Sequence, residues 1–312
     1  MNYLIKRILA VIPVLAVVAV IVFLLLHLSP GDPAVIIAGD TASAADIEHI
    51  RHTLGLDRPL PEQFAGWLGQ VLQGNLGVSV FTGLPVAEMI AQRVEPTLWV
   101  SALTMLFAVV FALPMGILAA WKAGTWVDRL ISGLAVAAFS LPVFVIGYGL
   151  VYGFSTTLGW FPVQGFKSLS EGFVPFIRHL ALPVVSGGLI YMALLARMTR
   201  STMLEVLGED YIRTARAKGL SSRRLLLRHA LKNAAVPIVT TIGLGIAMLL
   251  SGVIVTESVF AIPGIGRLTV DSILRRDYPV IQGIVLVTAA AYVAINLVTD
   301  LLYGLFDPRI RY

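Results

Sequence analysis

The residues of this chain best suited to chemistry lie between Glu209 and Pro237, in the run EDYIRTARAKGLSSRRLLLRHALKNAAVP. It is a basic, polar insertion between two long apolar segments. A surface of that kind does electrostatic rather than covalent work: it docks a soluble partner, or it lies on anionic lipid. The pattern predicts a helix from Asp210 to Lys218 with Tyr211 and Ala215 on one face, while Arg213, Arg216 and Lys218 point elsewhere. Gly219 can take the left-handed conformation that ends a helix. Ser221 or Ser222 then supplies an N-cap, and Leu227, Ala230 and Leu231 form the apolar stripe of a second short helix. The run therefore reads as two helices broken at Gly219.

Three further polar residues stand out because burial at membrane depth is costly for them. Glu257 follows one apolar segment, and Asp300 sits in another with Asn296 one turn earlier. They line a polar path, or they fix helices by hydrogen bonds. Glu48, His49 and His52 fall within about one helical turn and are read as a solvated helix face rather than a metal site. No H-E-x-x-H or comparable zinc spacing occurs among the five histidines. No G-x-x-x-x-G-K-[ST] phosphate loop is present, so ATP binding by this chain in the usual manner is not expected. No Ser-His-Asp set can be assembled, and the absence of cysteine excludes disulfides, thiolate metal ligands and thiol catalysis. No catalytic residue and no metal ligand is assigned, and the chain is read as a non-enzyme.

The elements that must carry these residues are membrane helices. Hydrophobic residues make up 57% of the 312 and charged residues 13%, against about 25% charged in an ordinary soluble domain. Six segments have the roughly 20 apolar residues a bilayer requires: about 9–28, 98–120, 130–154, 180–196, 234–256 and 280–306. The fourth is the shortest, since Arg178 and His179 limit its start. Spans in lipid must be helices or closed barrels, and the lengths argue against ten-residue barrel strands. The first, behind Lys6 and Arg7, exceeds a signal-peptide core and reads as an uncleaved anchor. Pro13, Pro114 and Pro142 read as kinks within spans, and Gly187, Gly188, Gly243, Gly245 and Gly252 as places of close helix approach.

Lys and Arg give the orientation. With the N-terminus inside, the inner segments hold 15 basic residues in 60 positions and the outer segments 8 in 117. Both termini are therefore expected in the cytoplasm, with 197–233 as a cytoplasmic segment and 29–97 as an extracytoplasmic insert of a single transmembrane domain spanning 1–312. Within the insert, Ser29-Pro30-Gly31-Asp32-Pro33 reads as a turn, Asp40 to Leu54 as a helix and Pro61 to Leu72 as a second. Phe64, Trp67, Leu68 and Val71 give that second helix one apolar face, which packs on the outer ends of the spans or on an extracytoplasmic partner. The fold class is all-α, polytopic, with about six transmembrane helices. The basic run is not read as a nucleic-acid site.

Here the motifs become specific. The segment 198–220, MTRSTMLEVLGEDYIRTARAKGL, resembles the cytoplasmic "EAA" loop of ABC-transporter permeases, with Arg213, Thr214, Ala215 and Gly219 at the positions of E-A-A-x-x-x-G. Arg213 replaces the Glu; the family's I-x-L-P falls on His229, Ala230, Leu231 and Lys232, with Pro237 later. HLSPGDP (27–33), GNLGVS (74–79), IPGIGRL (262–268), RDYPVIQG (276–283) and NLVTDLLYGLFDPRIR (296–311) are similar to the dipeptide, oligopeptide, glutathione and nickel branch of importers. The resemblance spans nearly the whole chain. It implies an inner-membrane permease subunit of an ATP-driven importer of short peptides, with nickel or glutathione as the alternative solute. It also implies a second homologous permease, two cytoplasmic ATPases that hold ATP and Mg, and an extracytoplasmic solute-binding protein; no cofactor is expected on this chain. Tyr211, Arg213, Thr214, Ala215, Arg216, Lys218, Gly219 and Leu220 become the ATPase-coupling residues. An ion-coupled secondary transporter would need an intramembrane acid pair, for which Glu257 and Asp300 are the candidates, and no internal repeat supports it.

Overall fold

The structure, a computed structural model, describes residues 2–28, 32, 34–35, 43–53 and 57–306. In chain order the helices are α1 (Asn2–Leu28), α2 (Ala44–Thr53), α3 (Leu60–Leu72), α4 (Val86–Trp121), α5 (Trp126–Ser140), α6 (Val143–Leu150), α7 (Phe173–Leu207), α8 (Asp210–Ala217), α9 (Ser222–Arg224), α10 (Leu231–Val259), α11 (Ile265–Arg275) and α12 (Tyr278–Phe306). Among the described residues, five helices are long and apolar enough to cross a membrane, or six if the bent pair α5–α6 is one span. Their outward faces carry large side chains such as Leu9, Ile12, Val17, Leu106 and Val110, as expected where the surrounding solvent is lipid.

Several of the expected spans differ from their sequence reading: the second, expected over 98–120, is the 36-residue α4, which begins at Val86 within the expected insert. The segment 130–154 is not a single kinked helix: α5 and α6 meet at a bend of 100°. Leu141 (φ −91°, ψ 130°) is extended because the proline ring disfavours helical backbone at the residue before it, and Pro142 (φ −59°, ψ 141°) is extended as the N-cap of α6. A π-helical segment, Val151–Thr157, follows α6 directly. The fourth span, expected to be the shortest, is the 35-residue α7, and it is the most buried of the candidate spans. Arg178 and His179 do not stop it. Arg178 donates to the carbonyl of Trp160 at 2.7 Å and His179 lies 2.8 Å from that of Pro175, so both polar groups are satisfied near the helix end.

The chain forms two compact units, Met1–Glu95 with Gly264–Ala294, and Pro96–Pro263 with Ile295–Tyr312. In the first, Val86, Met89, Ile90, Leu268, Val280 and Ile284 make an apolar cluster. The helix expected over 61–72 is present as α3, and its Phe64 and Trp67 rings pack on Phe23 of α1 at 5.4 and 5.7 Å. Phe64 and Trp67 of its apolar face thus pack on a candidate span, while no residue of the helix is fully buried. Of the helix expected over 40–54, Ala44–Thr53 is helical; 40–42 and 54, like Ser29, Pro30, Gly31 and Pro33 of the turn, lie outside the described residues. The Arg51 guanidinium donates to Asp32 and holds its carboxyl below the usual carboxylate range. Glu48 and His52 pair with Arg51 and Asp57, while the side chain of His49 is not among those described. The motifs GNLGVS and RDYPVIQG meet where Ser79 Oγ donates to Asp277 Oδ2 at 2.5 Å.

In the second unit α7 is the centre, packed against α5, α6 and α10. One cluster joins Val100, Leu180, Leu195, Leu249, Val253 and Phe260. A second joins Ala120, Met203, Ile212, Leu225, Ala230, Ala234 and Ile238. Gly188 is a close approach of the predicted kind, since a Cβ there would stand 2.5 Å from the Phe107 ring.

Candidate coupling site

The basic run from 209 to 233 sits on the second apolar cluster. α8 begins after Glu209, whose backbone is extended (φ −69°, ψ 147°). Asp210 lies in its first turn and Arg216 in its last, each of the sign that complements the helix dipole. Arg213 Nη1 donates to Asp210 Oδ1 at 3.2 Å, and Thr214 Oγ1 to the Asp210 carbonyl at 3.0 Å.

The anchor is a residue the sequence reading passed over. Ile212 is 1% exposed and packs with Met203, Leu225, Ala230 and Ala234, with Ala215 half-buried one turn on. Tyr211, paired with Ala215 by spacing, is instead exposed, and its hydroxyl accepts from Asn233 Nδ2 at 2.7 Å. Burying Ile212 and Ala215 turns Arg213, Thr214, Arg216 and Lys218 outward, where all four are exposed.

Gly219 ends α8 as expected. Its φ is +77°; its N–H bonds to the Arg216 carbonyl at 3.0 Å, and the Leu220 N–H reaches back to Ala215 at 3.3 Å. That pair of bonds is the Schellman arrangement, with half-buried Leu220 beside Ala215. A Cβ on Gly219 would meet no atom within 4 Å, so the constraint there is backbone conformation and not space.

Beyond Gly219 the structure corrects the expected second short helix. Ser221 occupies the cap position but its side chain makes no capping bond. α9 passes through a π-helical segment, Leu225–Ala230, straight into α10. With i→i+5 bonding, Leu225 and Ala230 share the buried face, and Leu227, expected on the apolar stripe, is exposed. The second helix of the basic run is therefore the start of the fifth span.

The polar residues at membrane depth lie on two helices. Glu257, near the end of α10, is fully buried, and Thr97 Oγ1 donates to its Oε1 at 2.6 Å. Asn296 is half-buried on α12. Asp300 lies on the same helix, its side chain outside those described. Another buried carboxylate went unnoticed in the sequence: Asp128 of α5 receives both Nε and Nη2 of Arg200 on α7, at 2.5 and 2.8 Å. A charge next to a short basic loop gave no sign of that pairing.

With this geometry in view, the profile of the family described as "Binding-protein-dependent transport system inner membrane component" matches residues 112–312, and the profile of its N-terminal region matches 1–101. The chain belongs to this permease family. The "Probable peptide ABC transporter permease protein y4tP" of Sinorhizobium fredii is 51% identical over 310 residues, covering 99% of both chains. The "Glutathione transport system permease protein GsiC" of Escherichia coli K12 is 46% identical over 312 residues, 100% of this chain and 99% of that one. An inward-facing structure of the MetNI methionine ABC transporter aligns with a TM-score of 0.59 at 16% identity, over 70% of this chain and 96% of the other; this likeness speaks to the fold. The permease is thus a multi-pass inner-membrane component of an ABC importer, a membrane-embedded assembly that includes ATPase subunits.

Proposed function

We propose that this permease moves short peptides into the cytoplasm, drawing energy from ATP hydrolysed on partner subunits. The observation that carries the solute class is the 51% identity, over almost the full length, to a chain named as a peptide permease. Glutathione, itself a small peptide-like solute, is the second reading, favoured by the 46% identical relative.

The coupling reading rests on α8. An eight-residue helix is tied down by one buried isoleucine, stopped by a left-handed glycine and left with an exposed basic face; such a face suits a soluble partner. In this reading Arg213, Thr214, Arg216 and Lys218 meet the ATPase. Tyr211 is held by Asn233, and Ala215, Gly219 and Leu220 keep the helix at its angle. The chain has no phosphate loop, so ATP and Mg belong to two ATPase partners. The assembly is completed by a second homologous permease and an extracytoplasmic solute-binding protein. The segment 197–233 and both termini face the cytoplasm, and 29–97 faces outward. ATP binding draws the ATPases together, α8 follows, and the solute path switches between inward-facing and outward-facing states because the ATPases bind one state more tightly. Glu257 holds α10 to α4 through Thr97.

Uptake of a labelled dipeptide by cells lacking this gene, with and without its restoration, tests the solute. Loss on deletion and recovery on restoration are expected. Unchanged dipeptide uptake with lost glutathione uptake would move the solute to the second reading.

A further inference from the structure

The pair Asp128–Arg200 is more elaborate than packing requires. Asp128 stands in the first turn of α5 and is 5% exposed. Its Oδ1 accepts from Arg200 Nε at 2.5 Å and from Ser132 Oγ at 3.4 Å. Its Oδ2 accepts from Arg200 Nη2 at 2.8 Å and from the backbone N–H of Gly124 at 2.9 Å. The carboxylate therefore locks three things at once: the turn after α4, the first turn of α5, and α7 seven residues before its end. A two-pronged guanidinium–carboxylate bond fixes angle as well as distance, which a single-point contact does not.

Two neighbouring contacts give the joint a direction. Arg216, on the exposed helix α8, lies over the ring of Trp121, the last residue of α4, at 5.7 Å. Arg197, one turn before Arg200 on α7, lies over Phe139 at 5.8 Å, two residues before Leu141 and the 100° bend. A displacement of α8 thus reaches Trp121, then the turn held by Gly124 and Asp128. From there it passes into α5, which α7 grips near both ends.

We propose that Asp128 and Arg200 are positioning residues that carry the movement of α8 into the broken helix α5–α6. The inference rests on the coupling reading of 197–233. The pair acts as a rigid joint, so that α5 and the end of α7 move as one body when the ATPases close.

The test uses the whole transporter, with its ATPases and binding protein, in proteoliposomes, with uptake of the labelled solute and ATP hydrolysis read in the same vesicles. Asp128→Asn is expected to assemble and to hydrolyse ATP, with solute moved per ATP lowered about tenfold, a usual size for a coupling between sites. Arg200→Lys keeps the charge but loses the second prong, and a smaller fall in the same ratio is expected; it serves alone if Asp128→Asn does not assemble. An unchanged ratio in the variants overturns the proposal. So does a proportional fall of uptake and hydrolysis, which marks a merely structural pair. Gly219→Val separates the two readings. Normal transport in that variant removes the coupling reading itself, whereas a dead Gly219→Val beside an unchanged Asp128→Asn ratio removes only the joint.

Discussion

At Gly219 the physics is a backbone angle. A φ of +77° with open space around the missing Cβ means that any side chain strains the turn without a clash, and a β-branched one strains it most. Gly219→Val is expected to insert and accumulate normally while uptake is abolished, as immunoblot of membranes beside labelled uptake would show. Glu257 poses the opposite problem, a fully buried carboxyl receiving a bond from Thr97. Glu257→Gln keeps an acceptor for that hydroxyl and is expected to retain uptake, whereas a proton-coupled carrier relying on this acid would lose it. Uptake by the Gln variant against the external pH separates the two.

Helix α8 shows how far residue patterns can be pushed. Its limits, its glycine stop and its basic face were all legible, because charge and left-handed turns are local properties. Its inward face was not: Tyr211 and Ala215 fit the spacing, yet Ile212 is the buried side chain, since the angle of so short a helix is set by what it lies on. The anchor makes a prediction at this scale. Ile212→Ala removes packing worth about 2–5 kcal/mol at a buried site, and is expected to reduce the ATPase recovered with the purified permease while the spans stay inserted. The same limit explains the other corrections. Span lengths follow from hydropathy, so most boundaries lay near their expected places, but the bend at Leu141–Pro142 depends on two residues becoming extended together. The polar ends of Arg178 and His179, which hydropathy counts against a span, find the carbonyls of Trp160 and Pro175 within the folded chain. Asp128 and Arg200 are 72 residues apart, and nothing local announces their meeting.

For the whole molecule, the proposed orientation can be read directly because the chain has no cysteine, so single cysteines report without background. Lys218→Cys is expected to react with a membrane-impermeant thiol reagent only in inside-out vesicles, and Phe81→Cys, on an exposed residue of the outer insert, only in intact spheroplasts. Labelling of both from one side would overturn the topology. Finally, the π-helical segment Leu225–Ala230 has a meaning for chain length. A helix that spends an extra residue on one wide turn carries a surplus in its count, so one residue can be removed there while the rest of the fifth span keeps its rotation. Deleting Leu227 should tighten that turn into α-helix and leave the protein transporting, whereas deleting Leu244, an exposed residue within α10, should rotate every later side chain by about 100° and abolish uptake. The fifth span thus begins on a turn that holds one residue more than an α-helix needs, and its register beyond Ala230 is buffered against a change of chain length there.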